Sequence, residues 1–484
     1  MTAYPLRYYF LAVMLMLSVY FLYLNTETGT IYFLFFLFSA LTFNFLQSNF
    51  YKGIYLVLLF SGAVAYFARP LVLVNHPELF QYTKIAATTD IDTINEALRY
   101  ALLNIVFLSI GFIVTVKSVP DKIISTVRPD NFMLRNFSII NIILIFLSSI
   151  RLALALYANV GIKGEASEDT SFAFMLRLSS PEMSFIIYYV YLSRYWARLT
   201  LQKRVIVLAM IGLTIFSVLI TGSKAFLGIF GLCIFFSFIY RNRKIKLYTF
   251  SMFSIIGAVL IAFSFVIAAA VKFSGSNEPA AIIAKAQTIV TAGSILTISD
   301  DITKRMVGLD GQIGSYIIDE QANPKIKNAL EESFSAKEVL LHTLNNVVPK
   351  VDFTNKPGSA KLASQYFDGF AVEKLHAGAI GLFAAIFFMA GPYFFLPLLI
   401  IGALIAAFFI YTRRIKNDDF RFILFFMGCY FTLRLVLSGN FDIILGEFVT
   451  QNILLFFYIK FISLIDIKHN IPVQRKMAGN VNPS

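Results

Sequence analysis

The chain is short of what soluble enzymes are built from. Charged residues make up only 14% of its 484 positions, where a soluble domain carries about 25%. It has 2 Cys, 4 His and a single Trp. Cys233 and Cys429 both fall in apolar runs, which excludes a disulfide framework and a Cys-based zinc site. The histidines, His76, His342, His376 and His469, are scattered, and neither HExxH nor GxxxxGK[ST] occurs. Zinc hydrolysis and ATP-driven transport lose support accordingly. No metal or other cofactor is expected.

What is present is apolar. Hydrophobic residues reach 58%, with 52 Phe, and the mean hydropathy is +0.73. Apolar runs of roughly 17–23 residues match the hydrocarbon core of a bilayer. The expected class is an all-α polytopic membrane protein of about 12 transmembrane helices. The spans are read at 6–24, 31–47, 51–68, 98–116, 137–158, 182–195, 205–221, 225–240, 249–271, 393–411, 421–438 and 443–463. The first run lacks a small-residue cleavage site and is expected to be retained as a helix.

Net charge is +13. In a membrane chain this excess marks cytoplasmic loops and anionic lipid, and nucleic acid is not an expected partner. Lys117, Lys122, Arg128 and Arg135 punctuate one basic loop; 194–204, 241–246 and 413–421 are others. The positive-inside rule makes these loops cytoplasmic, and alternation then puts both termini inside.

The domains follow: helices 1–9 over 1–271, an external (periplasmic), largely helical domain over 272–376, helices 10–12 over 393–463 and a cytoplasmic tail over 464–484. The run AGAIGLFAAIFFMAG sits between, in the segment 377–392. It is apolar enough to cross, but a crossing puts Arg413 and Arg414 outside. It is therefore expected to be re-entrant or interfacial; otherwise the span count is off by one elsewhere.

Several basic residues run against the orientation rule. Arg69 and Lys272 close spans at the outer side, where snorkelling accounts for them. Arg151 and Arg434 lie inside spans, about two turns and one turn from their outer ends, and Lys224 sits at the outer tip of TGSKAF (221–226). An intramembrane charge costs about 2.5–3.5 kcal/mol on insertion scales, so such residues pair, snorkel or function. If their helices converge, Arg151, Lys224 and Arg434 form a basic pocket suited to a diphosphate. Glu182, Asp442 and Glu447 lie at similar depth, and ion pairing with them is the plainer alternative. His376, Asp310 and Asp368 are external groups able to take a proton from an attacking hydroxyl.

Four elements in order carry a family resemblance. TGSKAF resembles the T-G-S-[RK]-x-x element of Wzy-type O-antigen and capsular polysaccharide polymerases. RMVGLDG (305–311) resembles their R-x-x-G-x-D, VVPKVDFTNKPGS (347–359) their I-P-[RK]-x-x-x-x-x-K-P, and AGAIGLFAAIFFMAG their Gly-rich re-entrant segment. The resemblance covers roughly 220–395; the first 200 residues match in topology only. Ala385 stands where the family pattern carries an acidic residue.

The resemblance implies a GT-C-like glycosyltransferase of the bacterial inner membrane, without nucleotide sugar or metal. Its donor and acceptor are undecaprenyl-diphosphate-linked glycans. Partners expected are those lipids and the bilayer, with a chain-length regulator left open. Carried over, Lys224 and Arg305 bind the anion beside Arg151 and Arg434, and His376 or Asp310 is the base. Lys356, Asp368 and Arg69 shape the site. An O-antigen ligase, which His376 also suits, and a lipid-linked oligosaccharide flippase are the rival readings. No half-to-half repeat of the transporter kind is found.

Overall fold

The computed structural model describes residues 3–80, 88–119, 131–157, 181–220, 226–241, 243–252, 308–320, 324–348, 364–368, 380–439 and 444–457, with isolated positions between them. The structure is mostly helical. The elements are α1 (Leu6–Leu24), α2 (Thr26–Phe45), α3 (Asn49–Gly62), α4 (Ile91–Lys117), α5 (Phe137–Tyr157), α6 (Pro181–Val190), α7 (Leu201–Ile220) and α8 (Phe226–Tyr240). They continue with α9 (Gly308–Glu320), α10 (Pro324–Phe334), α11 (Ala336–Val347), α12 (Leu382–Ala390), α13 (Phe395–Arg414), α14 (Asp418–Ser438) and α15 (Ile444–Phe457).

Among the described residues, six helices are long and apolar enough to cross a membrane: Leu6–Leu24, Thr26–Phe45, Asn49–Leu73, Ile91–Lys117, Phe395–Arg414 and Asp418–Ser438. The protein is an all-α membrane protein on that evidence. Two of these helices outrun the apolar stretches that announce them. α4 begins at Ile91 because Asp90 caps it, its Oδ1 accepting from the Thr93 N–H at 2.7 Å. The third span widens into a π-helical turn at Ala63–Phe67 before Pro70 opens a last short turn, Pro70–Leu73.

α14 is the central helix, buried on nearly every face. A helix apolar all round belongs inside a bundle. Its aromatic rings meet rings from other helices, Phe425 against Phe50 at 5.8 Å and Phe422 against Tyr240 at 4.9 Å. α4 and α13 pack backbone to backbone. A methyl group at Gly111 would sit 2.1 Å from the Leu399 carbonyl oxygen, and one at Gly402 2.0 Å from that of Leu108. Small residues let helices approach this closely where lipid gives no hydrophobic push.

One end of the bundle gathers the basic segments. β1 (Ala3–Tyr4) pairs antiparallel with β2 (Ile245–Lys246), and the Tyr9 hydroxyl donates to the Ile245 carbonyl at 2.6 Å. Arg194 and Asp418 form an ion pair at the same end. α3 and α14 both start there and run to the opposite end.

α12 has nine residues, about 14 Å of helix against a core of about 30 Å, and is too short to cross. Gly381 and Gly391 bound it with φ of 82° and 50°. α9 falls in the segment expected to form an external domain. It is buried from 308 to 316 and packs on α4, α12 and the π-helical turn, so this stretch rests directly on the flanking helices.

Candidate functional site

The end opposite the basic loops is built from four chain segments. The π-helical turn aims Tyr66 at α12, where its ring stacks on Phe383 at 4.2 Å and its oxygen accepts from the Phe383 N–H at 2.8 Å. Gly308 opens α9 against Tyr66; a methyl group there would meet the Ala65 carbonyl oxygen at 2.8 Å. Gly381 packs on Gly308, with its Cβ position 2.6 Å from the Gly308 Cα, and its N–H donates to the Ser438 carbonyl at 3.1 Å. Gly439, at φ 67°, closes the set with its Cβ position 2.2 Å from the Gly381 carbonyl oxygen. The ends of α3, α9, α12 and α14 therefore meet at a junction that only glycine backbones fit.

Asp310 lies in the first turn of α9, where the helix dipole favours an anion. Arg69 reaches it from the end of the third span, Nε to Oδ2 at 2.9 Å, with both side chains 0% exposed. Arg69 Nη2 also donates to the Leu79 carbonyl at 2.5 Å. Two sequence expectations change. Arg69 does not snorkel, because its partner is inside the protein. Asp310 is not placed as an exposed base, because its carboxylate is buried against a guanidinium.

Arg434 lies one turn before the junction on α14, and the Ser438 hydroxyl donates to its carbonyl at 3.0 Å. Its guanidinium pairs with Glu447 on α15 and stands 5.6 Å from the centre of the Tyr430 ring. The pair stays 31% and 24% exposed. Ion pairing, the plainer alternative for these charges, thus holds for Arg434, while the pair remains reachable by a ligand. Arg151 is half-buried on α5. Lys224, Arg305, Lys356, His376 and Asp442 lie outside the described residues, as do the side chains of Asp368 and Glu182. The convergence of Arg151, Lys224 and Arg434 therefore falls outside the description. Ala385 is fully buried on α12, so neither the side chain nor the exposure for an acidic role exists there.

Sequence reasoning missed Tyr66 and the glycine junction. The small residues of GLDGQIGS, spaced three and four apart, are the one local sign that α9 approaches other backbones closely. Among the described residues, no group of three or more His, Cys, Asp or Glu could hold a metal ion.

A second polar cluster occupies the basic end. Arg194 binds Asp418 and lies 3.3 Å from Asp419, and the Tyr195 hydroxyl donates to both Asp419 oxygens at 2.8 and 2.9 Å. The Met133 N–H donates to Asp419 at 3.2 Å and the Tyr240 hydroxyl to Asp418 at 2.9 Å. Sequence patterning showed these charges only as loop residues.

No family model matches the chain, and no curated protein and no solved structure matches it.

Proposed function

We propose that the protein is a polysaccharide polymerase, a membrane glycosyltransferase joining undecaprenyl-diphosphate-linked oligosaccharide repeat units. It acts at the periplasmic face of the bacterial inner membrane, with about twelve spans in a GT-C-like arrangement and both termini cytoplasmic. The observation that carries the reading is the meeting of RMVGLDG and AGAIGLF. These two elements of the resemblance lie some 70 residues apart in sequence. Their backbones touch at Gly308 and Gly381, and again where a methyl group at Gly311 would sit 1.9 Å from the Ile380 carbonyl oxygen.

In this reading the acceptor hydroxyl attacks the anomeric carbon of the donor glycan as the diphosphate departs. Arg434, with Arg151, Lys224 and Arg305, binds the diphosphate and stabilises its developing charge. His376 takes the hydroxyl proton. Lys356 and Asp368 shape the acceptor side. Asp310 and Arg69 hold α9 in place.

The test is incubation of the purified protein with lipid-linked repeat units and no nucleotide sugar. A ladder of longer lipid-linked glycans on a gel is expected. Units left at single-repeat length would refute the assignment.

A further inference from the structure

At the basic end, Ser193, Arg194, Tyr240, Arg241, Asp418 and Phe422 line an open pocket of about 400 Å³. Asp418 does not leave this pocket acidic. One of its oxygens is held by Arg194 and the other by the Tyr240 hydroxyl. Arg241 is different. A guanidinium carries five N–H donors. Among the described residues Arg241 donates one hydrogen bond, from Nη2 to the Ser193 carbonyl at 3.2 Å. Its pKa is pushed down by burial first and by neighbouring Arg243 second, which marks a positive charge that lacks full compensation. The Ser193 hydroxyl oxygen is buried without a hydrogen-bond partner among the described residues.

The pocket therefore presents the Arg241 guanidinium beside the paired Arg194, and one apolar wall, Phe422; Ser193, whose hydroxyl is buried, lines it as well. That donor set calls for an anion with several oxygens. A planar fork of N–H groups pairs with two oxygens of a carboxylate or a phosphate, and a phosphate keeps a further oxygen for a second donor. The position narrows the source. The pocket lies where α8 ends, α14 begins and the basic loops meet, at the level of lipid headgroups if those helices span.

We propose that this pocket binds a phosphate group, that of an anionic lipid headgroup in the leaflet bordering the basic loops. The site is independent of the polymerase reading, of whose described residues Arg69, Asp310 and Arg434 lie at the other end of the bundle.

The test uses the full chain purified in detergent, with binding read by native mass spectrometry and by thermal shift. Short-chain phosphatidylglycerol is the probe, diacylglycerol the phosphate-free control and inorganic phosphate the soluble competitor. Phosphatidylglycerol is expected to bind and diacylglycerol not. Arg241→Gln is expected to weaken the lipid by about tenfold, the loss of one charge-assisted contact of about 1.4 kcal/mol. Arg241→Lys, which keeps the charge but not the fork, should fall between. Arg413→Gln removes a charge at the same end, over the Tyr51 ring and outside the pocket, and should bind as the parent does. Ser193→Ala, a milder change, covers the case in which the Arg241 variants fail to fold, and is expected to weaken binding about threefold. Equal lipid binding by the parent, Arg241→Gln and Ser193→Ala would overturn the site. Protection by inorganic phosphate as strong as by the lipid would overturn the lipid source.

Discussion

Arg69 and Asp310 meet inside the protein, Nε to Oδ2 at 2.9 Å, with neither side chain reaching the surface. Removing one partner strands the other charge. Arg69→Met and Asp310→Leu are each expected to cost about 3–5 kcal/mol of stability. The double variant should recover a large part of that, since two apolar side chains leave no charge stranded. Unfolding in detergent, followed by circular dichroism across the four proteins, measures the coupling. Additive losses would show that the pair does not act as a unit.

The glycine junction yields a sharper contrast. Gly381→Ala and Gly439→Ala each force a side chain into a positive-φ backbone and into a neighbouring main chain. Each is expected to destabilise by at least about 1–3 kcal/mol. Gly212→Ala on α7 meets nothing within 4 Å and should be neutral or mildly stabilising. Melting temperatures of the three variants under one condition decide the point.

Arg434 tests the proposed chemistry. Arg434→Gln is expected to slow elongation of lipid-linked units by about 10²-fold, the usual cost of losing a donor aimed at developing charge. The pair with Glu447 is partly exposed, so the fold should survive the change. A melting scan beside the gel assay separates lost chemistry from lost structure. A normal chain-length ladder from a folded Arg434→Gln protein removes this residue from the site.

Asp90 predicts a pH dependence. The Thr93 N–H holds its carboxyl below the usual carboxylate range. A depressed carboxylate contributes stability above its unfolded pKa, about 3.9, and that contribution is lost as pH falls through the lower folded value. Asp90→Ala should therefore cost about 1 kcal/mol near neutral pH. The gap from the parent should close in strong acid. A gap that stays constant from neutral pH into strong acid would mean that Asp90 acts by something other than its charge.

Helix class, six of the twelve apolar spans and the basic end were legible in the sequence. These depend on hydrophobicity and charge within runs of about twenty residues, which bilayer thickness and the cost of buried charge turn directly into structure. The stranded position of Arg434 was legible in the same way, as was Glu447 at matching depth. The partner of Arg69 was not, because Asp310 lies 241 residues away and no local pattern joins them. Nor was the contact among Gly308, Gly381 and Gly439, since a glycine shows in sequence that a backbone can approach but not which one does. The Arg241 pocket needed the ends of α6, α8 and α14 side by side. Composition sets which segments leave water; only their packing decides which charges meet once they have left it.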